Sequence, residues 1–92
     1  MNSKNTDFYI GSQIVGVFTD GPPSVDGEYH YEPYRSPGHL NLHEQLKSHH
    51  SPRCHYFSNG KRISFTVTGR VQQGRLTLAG FEVDDANAPF GP

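Results

Sequence analysis

Six histidines and the single cysteine crowd into residues 30–55: His30, His39, His43, His49, His50, Cys54 and His55. Imidazole and thiolate are good zinc ligands, and His39 with His43 would share a face if their segment is helical. A closed zinc site needs more than this. No second cysteine completes a knuckle, His49 and His50 sit in the polar loop HHSPR, and His30 points away from the tyrosines of its strand. The expectation is therefore no metal site and no cofactor, with the histidines serving as surface or hydrogen-bonding groups.

A second constellation lies in DGEYHYEPYRSPGH, which places three tyrosines, an arginine and a histidine on a strand end and the loop beyond it. Tyrosine offers a flat ring with a hydroxyl, and Arg35 a planar donor fork suited to carboxylate or phosphate. Alternation assigns Tyr29 and Tyr31 to the core. Tyr34, Arg35 and His39 remain as the exposed candidates for a ligand or partner site. The other loop in this expectation is Pro22 to Val25.

A third set is basic: Arg53, Lys61, Arg62, Arg70 and Arg75, at hairpin ends or on outward positions, near His55, Tyr56 and Phe57. Interleaved basic and aromatic side chains on a small barrel grip single-stranded nucleic acid by neutralising phosphate and stacking on bases. The rival account is that charged hairpin ends are only solvated tips. Charge patterning leaves both open: between Arg35 and Phe81 there are seven basic residues and one acid, Glu44, while the remaining acids gather before and after. Folding either interleaves the two signs or leaves a basic face.

Catalytic templates are absent from the sequence. There is no GxSxG elbow, HExxH pair, Walker or Rossmann glycine loop, or CxxC redox pair. Cys54 and His55 are neighbours, but neighbours on a strand face opposite sides. We expect no enzyme and no catalytic residue.

The elements that must position these residues are mostly strands. Ten glycines and seven prolines in 92 residues mark many tight turns, the punctuation of a meander or barrel. With only 33% apolar residues, one small core relying on five Tyr and six Phe is all the chain can build. One domain is expected over residues 7–85, with flexible tails at 1–6 and 86–92. Strands are read at Ser12 to Thr19, with Phe8 to Ile10 beginning the same strand, and at Glu28 to Tyr34. The loop SPGH leads into the one helix, Leu40 to Ser48, which carries Leu42 and Leu46 on one face. Cys54 to Phe57 then pairs through Asn59-Gly60, a strong hairpin signal, with a strand from Arg62, and QQGR turns that strand into LTLAGFEV. A bulge near Ala79-Gly80 is needed to keep Leu76, Leu78, Phe81 and Val83 on one side. Phe65, Val67, Leu78, Phe81, Val83, Tyr29, Tyr31, Val17 and Leu46 form the expected core.

The segment NGKRISFTVTGRVQQGRLTLAGFEV is similar to the last two strands of cold-shock domains, over about a quarter of the chain. The KGFGF-like and VFVHF-like aromatic motifs that carry that family's function do not occur in the earlier strands. The fold expectation is thus mainly β: a small antiparallel five-stranded barrel or rolled sheet, SH3-like or oligonucleotide-binding-like in scale, with a short helix between strands 2 and 3.

No window approaches the roughly 18 to 20 apolar residues of a spanning helix, so no membrane association is expected. One cysteine cannot close an intramolecular disulfide, and MNSKNTDFYIG lacks the basic start and apolar run of a secretory signal. A reducing cytoplasm is the expected compartment. The expected function is a small binding module for a protein partner or small ligand, and nucleic-acid binding is the alternative.

Overall fold

A computed structural model describes residues 5–85 and shows a closed barrel of six antiparallel strands with one short helix between the third and fourth. The strands are β1 (Thr6–Ile10), β2 (Gln13–Phe18), β3 (Gly27–Pro33), β4 (Arg53–Ser58), β5 (Lys61–Gln72) and β6 (Arg75–Asp85), with α1 (Pro37–Lys47) between β3 and β4. Their order around the barrel is β1-β2-β3-β6-β5-β4, and Tyr9 opposite His55 joins β4 back to β1. Two three-stranded meanders are thus linked by the helix. Residues 1–4 and 86–92 of the expected tails lie outside the described residues, whereas Thr6 already belongs to β1.

The strand count differs from the expected five because Gly11 breaks what reads as one strand. Gly11 adopts φ +59, in the left-handed region that glycine enters at little cost, and with Ser12 it makes the two-residue turn between Ile10 and Gln13. The helix consequently follows the third strand. It also starts three residues earlier than Leu40. Ser36 caps it by accepting from the His39 amide at 3.2 Å, and Pro37 occupies the first turn, where its missing N–H costs nothing. Pro37, Gly38 and His39 are therefore helical, not part of a loop. Leu42 and Leu46 face inward as their spacing required.

The core is a nest of aromatic rings. Phe8 stacks on Phe18 with centroids 4.3 Å apart, and Phe65 touches both, at 6.2 and 5.9 Å. Ile10, Val15, Tyr31, Leu42, Leu46, Cys54, Tyr56, Val67, Leu76 and Leu78 complete the buried cluster, against which Tyr29 and Phe81 pack from half-buried positions. The Asn59-Gly60 hairpin forms as read, with Ser58 opposite Lys61. The expected bulge is present too: Ser64 pairs with Glu82 and Thr66 with Ala79, so β6 holds one extra residue around Gly80, whose φ is +68.

Two expected core residues do not join the cluster. Val83 is 64% exposed, because the β3–β6 ladder begins at Gly27 opposite Leu78 and β6 beyond that point has only β5 beside it. Val17 is buried but neighbours the inward Phe18, so alternation turns it to the opposite face. Among the described residues no helix is long and apolar enough to cross a membrane.

Candidate functional site

The chain leaves the barrel at Pro33 and returns to it almost at once, and this short path builds an open cleft. The Tyr34 amide donates to the Val15 carbonyl at 3.0 Å, and the Tyr34 hydroxyl donates to Asp7 Oδ1 at 2.8 Å. That hydroxyl bond is the main cause of a raised Tyr34 pKa. Ser36 Oγ donates to the Ile14 carbonyl at 2.7 Å while capping α1. Gly38 lies so close to β2 that an added Cβ would run into the Ile14 carbonyl. Both ends of the segment are thereby pinned to β1 and β2.

Pro33, Tyr34, Arg35, Ser36, Pro37, His39 and Leu40 line this cleft, about 570 Å³ in volume. All three residues singled out from the sequence for this site are brought together here. Their settings differ. Arg35 is exposed and makes no ion pair or hydrogen bond with any described residue. Tyr34 is tied down, as above. His39 is half-buried on the first turn of α1, with Nε2 3.4 Å from the Tyr31 hydroxyl and its ring 4.8 Å from that of His43. Burial first, and the charge of His43 second, push its pKa down, so the ring is neutral near pH 7. Leu40, 67% exposed, adds an apolar wall that sequence reasoning missed. Its signal was its place two residues before Leu42 on a helix, which puts it off the buried stripe. The Pro22 to Val25 loop stands apart: Pro23 is fully buried, and its carbonyl accepts from the Tyr56 hydroxyl at 2.6 Å.

The five basic residues are not gathered in the same way. Arg53 donates to Glu82 at 2.8 Å, to Thr66 at 3.0 Å and to the Gly80 carbonyl at 3.4 Å, clamping the β6 bulge. Arg62, only 6% exposed, lies 3.7 Å from Asp84, and Arg75 lies 3.7 Å from Glu28. Lys61 and Arg70 are exposed but nine residues apart on β5, up to roughly 30 Å along an extended strand. Folding has interleaved the two signs, since the acids that precede and follow the basic stretch supply its partners.

On the outer face of β4 the structure places something the sequence reading touched only in passing. Arg53, His55 and Phe57 lie on the side of β4 away from the core cluster, Arg53 and Phe57 exposed and His55 buried between them at 8% exposure, while Cys54 and Tyr56 turn in. Tyr9, from the neighbouring β1, lies against His55 and Phe57. The legible signal was parity, because an aromatic residue out of phase with buried Tyr56 must face outward.

Among the described residues, no group of three or more His, Cys, Asp or Glu is placed to hold a metal ion. Cys54 is buried, and burial raises its thiol to about 12, which leaves it protonated and a poor nucleophile. Comparison with protein-family models, curated proteins and solved structures finds no match.

Proposed function

We propose that the protein is a small non-enzymatic binding module whose ligand or protein partner seats in the cleft of Tyr34, Arg35, His39 and Leu40. One observation carries this reading: Arg35 pairs with no described residue, on a segment whose neighbours Tyr34 and Ser36 are both anchored. An anchored segment loses little conformational freedom on binding, and a free guanidinium gains most from a bidentate carboxylate or phosphate. Pro33, Pro37 and Leu40 add an apolar wall beside it. The matching partner presents an anionic group next to an apolar side chain, such as an acidic peptide segment with a flanking leucine. A barrel oligonucleotide-binding-like in scale also keeps the rival reading of strand binding in view. Of the residues proposed for it, three face acids within the chain, so a continuous phosphate track is the weaker account.

Selection from a displayed random-peptide library tests the cleft. The recovered peptides should carry Asp or Glu beside an apolar residue and lose about tenfold in affinity for Arg35→Ala, while the variant's stability changes by under about 1 kcal/mol. Affinity should respond weakly to salt, as one ion pair implies. Unfolding of Arg35→Ala would make the residue a structural anchor and end the proposal, as would peptides that bind parent and variant alike.

A further inference from the structure

His43, which the Arg35 cleft does not use, stands one helical turn from His39 on α1, the spacing that puts two side chains on one face. Their ring centroids are 4.8 Å apart, with the ring planes at 54°. Both rings are half-buried in a second cleft of about 320 Å³, walled on its other side by Tyr31 of β3, Val71 of β5 and the Gln73–Gly74 turn. The Gly74 carbonyl accepts from the Tyr31 amide at 2.9 Å, which holds that turn against β3. No lysine or arginine lines this cleft, so nothing there repels a cation. His49 and His50, exposed beyond the end of α1, have no such confinement.

We propose that His39 and His43 together bind one divalent transition-metal ion of the class that favours imidazole, zinc or copper(II). An ion about 2.0 to 2.1 Å from one nitrogen of each ring, at an N–metal–N angle of about 90° to 109°, sets the ring centroids roughly 4.5 to 5.2 Å apart. The observed 4.8 Å falls inside that range. Two imidazoles on one helix act as a chelate: once one has bound, the other is already within reach, so the pair holds an ion more tightly than a lone histidine does. The Tyr31 hydroxyl, 3.4 Å from His39 Nε2, is placed to accept from that nitrogen and leave the Nδ1 lone pair to the ion, the orienting role that an oxygen beside a metal-bound imidazole commonly has. Two protein ligands fall short of the three or four of a catalytic or structural zinc centre, and among the described residues no third His, Cys, Asp or Glu joins them. The ion is therefore exchangeable, with its other positions open to water or another oxygen donor. Copper(II) binds tighter than zinc, as the divalent series orders them at nitrogen sites. The site stands independently of the reading of the Arg35 cleft, although His39 borders both.

Isothermal titration of the full chain, free of any tag, with ZnCl2 and separately with CuCl2 tests it. One ion per chain should bind in the tightest step, with copper(II) about tenfold or more tighter than zinc. His39→Asn and His43→Asn should each weaken that step about tenfold or more, because either change removes the chelate. The double variant His49→Asn, His50→Asn should bind as the parent does. Zinc titration of the 15N-labelled parent, which needs no variant to fold, should shift the ring nitrogens of His39 and His43 before those of the other four histidines. Absence of a saturable step, equal affinity in His43→Asn, or ring shifts spread evenly over all six histidines would overturn the proposal. So would loss of the step in the His49→Asn, His50→Asn variant, which would leave an adventitious ion only.

Discussion

The cleft at the start of α1 and the aromatic face of β1 and β4 share one barrel but are built by opposite means. Backbone anchors make the cleft: the Tyr34 amide on Val15, Ser36 on Ile14, and Gly38 pressed against β2. Its cation, Arg35, is exposed and pairs with no described residue. Alternation along regular strands makes the aromatic face, where the two arginines are already paired with Glu82 and Asp84. A charge that pairs with no described residue on a pinned segment favours recognition of an anion, whereas charges already paired beside a single exposed ring, Phe57, have little left to offer one. A count of basic residues would rank the second region first. Pairing reverses that order for electrostatic recognition.

The comparison is broken most severely at the scaffold both regions share. Phe65 is fully buried against Phe8, Phe18, Tyr56 and Phe81. Phe65→Ala should cost roughly 3 to 5 kcal/mol in urea unfolding and disrupt both regions together. A variant that melts with the parent would show that the two faces do not depend on one core. Gly38→Ala should act on one region only. Its methyl meets the Ile14 carbonyl, so the helix start must shift, at about 1 to 3 kcal/mol by thermal unfolding. Amide resonances of Tyr34 to Leu40 should move in this variant while those of His55 and Phe57 stay in place. The smallest effect is a pH dependence that both regions share. His39 and His55 have pKa values lowered in the fold, so below the unfolded value of about 6.5 the unfolded chain binds more protons and stability falls with acidification. Their contribution is fully present above the unfolded value and declines as pH falls below it. The melting temperature should follow that direction, and replacing both with Gln should flatten the slope across this window. A melting temperature that rises on acidification would reverse the sign.

Much of the barrel was legible because local signals and global packing agree. Asn59-Gly60 made its hairpin, the phase slip from Leu78 to Phe81 announced the bulge at Gly80, and Leu42 with Leu46 marked the inner face of α1. Ser36-Pro37 was an equally local helix-start signal, read as loop. The cleft's three residues were legible as a group because Pro33 ends β3 and forces the chain outward. What was not legible was partner choice. Arg53 lies 29 positions from Glu82 in the chain, and Tyr9 is 46 positions from His55; only the closing of the barrel makes either pair neighbours.

The sequence by itself determined the class of fold and the direction of most side chains, because turn chemistry and period-two alternation act within a few residues. Val83 shows where that reach stops. Its parity with Phe81 is correct, yet it stays exposed because β3 does not extend alongside it. Tertiary structure alone decided which charges are spent on one another and which remain free, because charge pairing is settled by distance in space and not by separation along the chain. Strand register and barrel closure set those distances, bringing Arg53 and Arg62 to their acids and leaving Arg35 to solvent.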